Sequence, residues 1–488
     1  MTSTSADPTP VEADPRRWKA LVVIAIAQLM IVLDASIVNM ALPSIQADLG
    51  ISDADRQWAV TAYTLAFGSL LLLGGRIADY AGRKRVFIIG LTGFALASAL
   101  GGLATTSTML FASRGLQGVF AALLAPAALS LISVTFTDSK ERAKAFGVYG
   151  ALSGGGAAIG LVLGGVLTEY FSWHWCFLVN VPIAVLAIFL AIPNVRESRA
   201  TGNTKYDVPG AITATVGLFC LVFGITKAES DGWNGTSTVT FLAISVVLLF
   251  VFLFIEYKST HPLLPLKIVL ERNRGGAYLS SFFVGVGLFS MFLFISYFFQ
   301  AVLQYSPLTS GLLFLPFSAG VVISAGIASQ LLPRFGPRWV TFTGFVMAVI
   351  GMSLYIRLTP ESTYVSGILP SIILMSLGMG LIFVPLSATA LYGVGDHDAG
   401  VASAVLNTAQ QIGGSIGVAF LNTIAASATA AFVVANNLQQ PNADALVEGF
   451  TTTFMWSTAI LAFAGLVWVV LVRISKKDLS KNDVAAQF

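Results

Sequence analysis

Charged residues are scarce in this chain. Only 10% of its 488 residues are Asp, Glu, Lys or Arg, whereas 56% are hydrophobic. A soluble globular chain carries about 25% charged residues, so this chain has too few to cover a surface that faces water. A water-soluble fold is therefore excluded, and the apolar excess must face lipid. The net charge of +3 is too small to indicate a nucleic-acid partner.

Cysteine and histidine are also rare. Cys176 and Cys220 both lie in apolar runs and offer neither a disulfide framework nor the spacing of a metal site. The three histidines, His174, His261 and His397, fall in three separate loops. A membrane-embedded enzyme would need such side chains clustered at the membrane surface. We therefore expect no enzyme, no metal and no cofactor, and keep the enzyme only as a remote alternative.

Long apolar runs are what the chain has in abundance. A helix needs about 20 mostly apolar residues to cross the hydrocarbon core. Open strands would leave backbone groups unpaired in lipid. We therefore predict an all-α integral membrane protein with fourteen transmembrane helices. Their expected limits are 18–38, 57–77, 86–106, 109–134, 142–168, 174–193, 208–227, 237–257, 275–299, 309–332, 338–357, 364–388, 400–425 and 453–473.

The basic residues orient these spans. With the N-terminus in the cytoplasm, 23 of the 27 Lys and Arg residues fall in cytoplasmic segments. Only Arg56, Lys227 and Arg357 fall outside, which is the asymmetry that the positive-inside rule describes. We expect both termini in the cytoplasm and a multi-pass protein of the plasma membrane. The first apolar run is too long for a signal peptide, so we expect it to stay uncleaved.

A short basic loop connects the second and third spans. It contains Gly75, then Asp79 four residues later, then Gly82 and three basic residues, Arg83 to Arg85. This pattern resembles the signature loop between the second and third helices of the major facilitator superfamily. The resemblance implies a secondary transporter in which Gly75, Asp79, Gly82, Arg83 and Lys84 take part in a conformational switch.

The loop also has a mechanical interpretation. Asp79 is expected to face the N-terminus of span 13 near Gly400, where a carboxylate is favourable, and Gly75 to let the two helices touch. Arg83 is expected to pair with Asp138 or Glu141. Simple anchoring at the cytoplasmic surface is the alternative, and it accounts for part of the role of Lys84 and Arg85.

A weaker copy of this loop follows the tenth span and contains Gly336 at the position of Gly82. Two related six-helix halves with a substrate site between them are common in transporters. The predicted organisation has five parts. These are a disordered cytoplasmic tail at 1–16, an N-terminal six-helix half at 17–194, two inserted helices with their loops at 195–257, a C-terminal six-helix half at 258–474 and a cytoplasmic tail at 475–488.

Asp34 is one of two ionisable residues predicted to lie well inside a span. Such residues are costly in lipid and usually functional. Leu33-Asp34-Ala35-Ser36-Ile37-Val38-Asn39-Met40-Ala41-Leu42-Pro43 resembles a motif of the fourteen-helix drug:proton antiporters, a family of multidrug and quaternary ammonium efflux proteins. The resemblance implies that Asp34 handles protons. The alternative is an idle carboxylate near the outer interface, reached by water.

Arg114 is the second such residue and lies in span 4. The sequence Arg114-Gly115-Leu116-Gln117-Gly118 resembles the helix-four motif of the same family. Gln117 is three residues away and shares a helix face with Arg114. Arginine keeps its proton, so we expect Arg114 to adjust the protonation of Asp34, directly or through water. A structural pair that locks two helices is an equal alternative.

Span 5 is rich in glycine, which lets helices approach closely. Gly156, Gly160, Gly164 and Gly165 resemble the antiporter motif of this family. One position departs from the pattern, because Leu161 stands where the family usually has proline. The proline kink is therefore missing.

Polar residues at helical spacing mark a candidate substrate cavity. In span 13, Asn407 and Gln410 share a face and are expected either to line the cavity or to hold helices together. Asn39, Gln117 and Phe292 are added to this set. Phe292 belongs to an aromatic group in span 9 that would suit flat lipophilic cations, although lipid contact and packing explain most of its members.

Taken together, these features predict a proton-coupled exporter that moves lipophilic, cationic drugs out of a bacterial cell. Its partners would be a small-molecule drug, protons and the lipid bilayer, with no obligate protein partner. Export of an endogenous metabolite, antibiotic or lipid on the same fold is the alternative. In the expected cycle, Asp34 is protonated when the cavity opens outward and loses its proton inside.

Overall fold

The structure is a computed structural model, and it describes residues 15–52, 55–136, 139–199, 207–259, 262, 264, 266–394 and 399–474. Helices dominate this part of the chain, and no strand occurs in it. The predicted all-α fold is confirmed.

Seven helices before residue 195 form an N-terminal bundle. They are α1 (Arg17–Leu49), α2 (Trp58–Ala81), α3 (Arg83–Gly102), α4 (Ser107–Thr135), α5 (Ser139–Tyr170), α6 (Trp175–Leu178) and α7 (Asn180–Asn194). Helix α1 packs against α5 and α7, α2 packs against α4, and α3 packs against α4 and α7. Together α6 and α7 form the sixth predicted span, with a break at Val179.

Two long helices follow the N-terminal bundle, α8 (Val208–Asp231) and α9 (Thr236–Lys258). They pack chiefly against each other. Helix α8 also contacts α2 and a later helix, and Leu65, Val222 and Ala419 share one buried apolar cluster there. Helix α8 therefore contacts both the N-terminal bundle and a helix that follows it in the chain.

The remaining helices form a C-terminal bundle. They are α10 (Leu266–Val269), α11 (Arg272–Tyr297), α12 (Pro307–Leu313), α13 (Leu315–Phe335), α14 (Pro337–Leu354), α15 (Leu369–Ala390), α16 (Ala399–Ala435) and α17 (Ala443–Leu471). Short π-helices at Phe298–Val302 and Tyr364–Ile368 and a 3₁₀ turn at Tyr355–Arg357 extend α11, α15 and α14. Helix α11 packs against α16 and α17, and α15 packs against α13 and α14.

Length and hydropathy identify the helices that can cross a membrane. Among the described residues twelve helices qualify, and thirteen if α2, which bends by 55° after Leu71, is one span. Helix α5 has 32 residues, and its part Ile159–Tyr170 forms a shorter apolar helix. A multi-pass membrane protein is therefore evident, whereas the number fourteen stays a prediction.

Several helices extend beyond their predicted limits. Helix α1 continues to Leu49 although hydropathy predicted an end at 38, and α16 continues to Ala435 instead of 425. Hydropathy reports the apolar stretch, whereas the hydrogen-bonded helix runs on until a residue can end it. Gly50 ends α1 in the left-handed region with φ 61°, which glycine adopts without strain.

The bundle has two ends, which we name by their loops. The basic face is the end at which Gly82 joins α2 to α3, and the far face is the end at which α1 stops and α2 begins. Gly336 joins α13 to α14 as Gly82 joins α2 to α3, with φ values of 77° and 111°. The two loops that were aligned from the sequence therefore share a positive-φ glycine between two consecutive helices.

A carboxylate caps α11 at the basic face. Glu271 accepts a hydrogen bond from the backbone N–H of Arg274 at 2.9 Å and another from the Asn273 side chain at 2.9 Å. Burial alone would raise the pKa of Glu271, but these hydrogen bonds and the Arg274 charge outweigh it and lower that pKa. Glu271 is therefore an ionised cap at the start of α11.

Candidate functional site

An ion pair lies in the middle of the N-terminal bundle. Arg114 Nη1 donates to Asp34 Oδ2 at 2.6 Å, and neither side chain is more than 1% exposed. Asp34 lies near the centre of the 33-residue helix α1. The idle alternative for Asp34, a carboxylate at the interface that water reaches, therefore does not describe this structure.

Two amides complete the shell of Asp34. Gln117 Nε2 and Asn180 Nδ2 each donate to Asp34 Oδ1 at 2.8 Å. The Ser98 hydroxyl oxygen accepts from Gln117 at 2.7 Å and from Asn180 at 3.4 Å. Both oxygens of the carboxylate therefore accept hydrogen bonds from N–H donors, which is how an ionised carboxylate is satisfied in a protein interior.

Arg114 is held on several sides. Its Nε donates to the Ala59 carbonyl at 2.8 Å, and Nη1 also donates to Gln117 Oε1 at 2.8 Å. The guanidinium lies 4.4 Å from the centre of the Tyr63 ring, within the range of a cation–π contact. A charge in a membrane interior needs such partners, because an unpaired one is strongly unfavourable.

The cluster of Asp34, Arg114, Gln117, Asn180, Ser98 and Tyr63, hereafter the carboxylate cluster, joins five helices. These residues come from α1, α4, α7, α3 and α2. Helices α1 and α4 thus meet through charge, and the sequence-derived alternative of a structural pair is compatible with this geometry. The contact between Asp34 and Arg114 is direct and needs no bridging water.

Three members of the cluster were not predicted from the sequence. Asn180 is the first residue of α7 and follows the break at Val179, so a polar residue at a helix start inside an apolar run was its only signal. Ser98 and Tyr63 are uncharged residues within spans and carry no signal of their own. Asn180 Oδ1 and the Tyr63 hydroxyl are buried without a hydrogen-bond partner among the described residues.

The basic loop is built differently from the expectation. Arg83 donates to Asp79 Oδ1 through Nη2 at 2.8 Å and through Nε at 3.0 Å, one helical turn away. Glu141 pairs with Arg17 at 2.7 Å, so its expected pairing with Arg83 is wrong. Asp138, the other expected partner of Arg83, lies outside the described residues.

Helices α2 and α16 are in contact, but no hydrogen bond joins Asp79 to α16 among the described residues. Asp79 Oδ1 instead accepts two hydrogen bonds from Arg83. A Cβ added to Gly75 would lie 3.4 Å from Pro126, so Gly75 faces α4 and not α16. The two backbone N–H groups at the start of α3, those of Lys84 and Arg85, donate to Glu197 at 3.1 Å each.

The glycines of α5 lie on two surfaces. Gly156, Gly160 and Gly164 face α1, and a Cβ at Gly160 would collide with the Ser36 hydroxyl. Gly165 instead faces the backbone of Leu308 in α12, and Gly311 of α12 packs against the Leu161 carbonyl. Leu161, which replaces the family proline, is buried in this contact. Helix α5 therefore touches both bundles through glycine.

The candidate cavity residues do not join the carboxylate cluster, apart from Gln117. Asn407 is exposed and Gln410 is half-buried on α16. Phe292 of α11 packs on Phe314 and Phe317, with ring centres 5.4 and 5.0 Å away, as the packing interpretation predicts. The backbone carbonyl of Asn39 accepts from Ser296 at 2.9 Å. These four residues lie on α1, α11 and α16.

Comparison with known proteins places these features in a family. The family model described as Major Facilitator Superfamily matches residues 24–418. The chain is 48% identical over 464 residues to the puromycin resistance protein pur8 of Streptomyces alboniger, covering 94% of this chain and 92% of that protein. It is 38% identical over 414 residues to the cephamycin export protein CmcT of Amycolatopsis lactamdurans, covering 84% and 85%.

A solved structure supports the fold. A bacterial homolog of the human lysosomal transporter Spinster, in an inward-facing and unoccupied conformation, superposes with a TM-score of 0.66 at 17% identity. The match covers 96% of this chain and 99% of that one.

Proposed function

The chain belongs to the major facilitator superfamily, and from this premise we propose that it is a proton-coupled exporter of lipophilic, cationic drugs. Relatives named for antibiotic resistance and antibiotic export support the drug as cargo. The observation that carries the proposal is the carboxylate cluster, because it buries a titratable group in the middle of a membrane helix.

The proposed cellular setting is the bacterial plasma membrane, with the basic face and both termini in the cytoplasm. The distribution of Lys and Arg between the two faces supports this orientation. The far face is then the external one. Each proton that enters gains about 2.3 kcal/mol per 100 mV of membrane potential, and each monovalent cation that leaves costs the same. A one-for-one exchange is therefore driven by the pH gradient.

The cluster is proposed to be in its proton-free state in this structure. Every hydrogen bond to Asp34 comes from an N–H donor. A protonated carboxyl group would also need an acceptor for its own O–H, and none is engaged here among the described residues. Because Asp34 is fully buried and paired, it is proposed to bind the proton and not the drug itself. This differs from an exchange in which drug and proton compete for the same carboxylate.

Protonation of Asp34 would change two contacts. The neutral carboxyl group would attract Arg114 less, and it would become a donor in need of an acceptor. Asn180 Oδ1 has no partner among the described residues and belongs to the amide that already touches Asp34. Rotation of that amide would supply the acceptor.

These local changes are proposed to reach the other bundle through α1 and α2. Helix α1 contacts α11, and α2 contacts α16. Ser296 donates to the Asn39 carbonyl, and Ser415 donates to Thr64 at 2.6 Å. A shift of α1 relative to α4 would therefore alter the contacts between the bundles.

The remaining predicted sites are proposed as parts of the same cycle. Gly75, Asp79, Gly82, Arg83 and Lys84 would form and break contacts at the cytoplasmic face as the bundles rock. Gly156, Gly160, Gly164 and Gly165 would let α5 slide on α1 and α12. Asn39, Asn407, Gln410 and Phe292 stay the proposed cavity lining between the halves 17–194 and 258–474, whereas Gln117 acts in the carboxylate cluster.

A second candidate function is export of one antibiotic and not of many drugs. The relatives named for puromycin and cephamycin favour it, since each name gives a single compound. The two functions differ in the breadth of cargo and share the fold and the proton site. A panel of chemically different compounds separates them.

The experiment is proton release from everted membrane vesicles under a preset pH gradient, with cationic, neutral and anionic drugs added in turn. The wild type should dissipate the gradient with several cationic drugs, and Asp34→Asn should not. Asp48→Asn is the matched control, because Asp48 lies on the same helix but is exposed. Drug-driven dissipation that survives Asp34→Asn would refute the proposed proton site.

A further inference from the structure

The far face of the molecule is closed by contacts between the two bundles. The Tyr297 hydroxyl donates to Gln46 at 2.9 Å, and Gln300 donates to the Met40 carbonyl at 3.3 Å. The backbone N–H of Leu308 donates to Glu169 at 3.1 Å. These contacts join α1 and α5 to the start of the C-terminal bundle. Any opening at this face must break them.

A cation lies in the middle of this closure. Arg56, just before α2, is 7% exposed, and its guanidinium carbon lies 4.2 Å from the centre of the Tyr297 ring. Its Nη2 donates to Asn422 of α16 at 3.3 Å. Through Tyr297 and Gln46 the same contact reaches α1. One arginine of the N-terminal bundle is therefore held by two helices of the C-terminal bundle.

The ring face that Arg56 covers has a chemistry of its own. The face of a tyrosine ring attracts cations, and the attraction grows when water is excluded. Tyr297 is 4% exposed, so its ring is desolvated in this state. Arg56 and Tyr297 belong to different bundles, so opening the far face must separate them. The ring face would then be open to another cation.

We propose that the Tyr297 ring face is a transient site for a lipophilic organic cation on the exit route, and that Arg56 is the tethered cation that displaces it when the far face closes. This inference rests on the proposed export function and adds a reason for one-way release. Two cations cannot occupy one ring face, so closure of the gate would expel the cargo. A neutral cargo would not compete.

The first test measures closure without transport. A Ser296→Cys reporter, in a chain with Cys176→Ala and Cys220→Ala, lies buried between the bundles. Its labelling by a membrane-impermeant maleimide from the far side reports opening, and Thr105→Cys in an exposed loop of that face is the accessible reference. Arg56→Gln should raise the labelling rate several-fold, up to about thirtyfold for a desolvated cation–π contact.

Matched variants isolate the contact. Arg56→Lys keeps a cation and should give an intermediate rate, and Tyr297→Phe keeps the ring and should lie closer to wild type than Tyr297→Leu. Lys227→Gln is the control, since it also removes a cation beside an aromatic ring, but that ring, Phe223, lies on the same helix α8 at 5.9 Å. Its labelling rate should equal that of the wild type.

The second test measures the ring as a binding site. Tetraphenylphosphonium should slow labelling of the reporter in Arg56→Gln, and triphenylphosphine oxide, a neutral analogue, should not. The protection should disappear when Tyr297→Leu is added. An unchanged labelling rate in Arg56→Gln, or equal protection by both compounds, would overturn the inference.

The labelling result is independent of export. If labelling behaves as expected but no drug moves protons in wild-type vesicles, the proposed function fails and the cation site at Tyr297 stands as a binding site. If drug export is proton-coupled but Arg56→Gln labels like wild type, the proposed function stands and Arg56 is not the gate.

Discussion

The two bundles differ in what they bury. The N-terminal bundle buries an ion pair and two amides at its centre, whereas residues 266–474, as far as the structure describes them, bury no charged side chain. Their buried polar groups are nearly all hydroxyls, such as Ser280, Ser290 and Ser324. In the proposed function, proton chemistry therefore belongs to one bundle, and the other responds through contacts of low polarity.

The largest expected effect comes from removing the buried charge at the centre of the N-terminal bundle. Asp34→Asn removes the charge of the N-terminal bundle and should reduce drug-driven proton movement to background, because asparagine cannot bind a proton in exchange for cargo. Proton release from everted vesicles measures it. The amount of this variant in the membrane must match the wild type, since a missing protein would give the same signal.

The next effect concerns stability. Arg114→Gln leaves the buried Asp34 charge uncompensated and should lower the free energy of unfolding by about 3–5 kcal/mol. The double variant Asp34→Asn with Arg114→Gln should recover most of the lost stability, but it should not restore proton-coupled export. Thermal unfolding in detergent measures the stability of the wild type and of each variant. A double variant as unstable as the single one would mean that the pair does not hold α1 to α4.

Sequence reasoning found the charged half of this site and missed the rest for a physical reason. An ionisable residue in an apolar span is visible in one dimension, and so Asp34 and Arg114 were identifiable. Asn180 and Ser98 matter only because distant helices bring them to the same carboxylate. The partner of Arg83 was missed although Asp79 lies only four residues before it, a spacing at which side chains of one helix meet.

Close packing on α5 gives an intermediate effect. Gly160→Ala places a Cβ against the Ser36 hydroxyl and should destabilise the protein by about 1–3 kcal/mol. Adding Ser36→Ala should recover part of the loss, because it removes the atom that collides. Thermal unfolding of the wild type and these two variants measures the losses. Equal losses in the single and double variants would place the clash elsewhere.

A pair of serines sharpens the comparison of the bundles. Ser98 accepts two hydrogen bonds in the carboxylate cluster, whereas the Ser290 hydroxyl of α11 has no partner among the described residues. Ser98→Ala should cost about 1 kcal/mol, because it removes an acceptor from buried donors, and Ser290→Ala should be nearly neutral. Similar losses at both positions would contradict the asymmetry.

The smallest effect lies outside the membrane-spanning part. The pKa of Glu271 is lowered in the folded protein, so its ionised form adds stability above its unfolded pKa and loses it as pH falls through the folded value. Glu271→Gln keeps an acceptor for the cap and removes the charge. It should cost at most about 1 kcal/mol at neutral pH, discounted for exposure, and nothing in acid. Thermal unfolding across pH measures it.

The central claim is that Asp34 exchanges its proton as cargo binds and leaves. The most direct measurement is proton release from purified protein in weakly buffered detergent when tetraphenylphosphonium or another transported drug is added. We expect proton release by the wild type and by Asp48→Asn, and none by Asp34→Asn. Equal release by wild type and Asp34→Asn would contradict the account, because the proton would then come from another group.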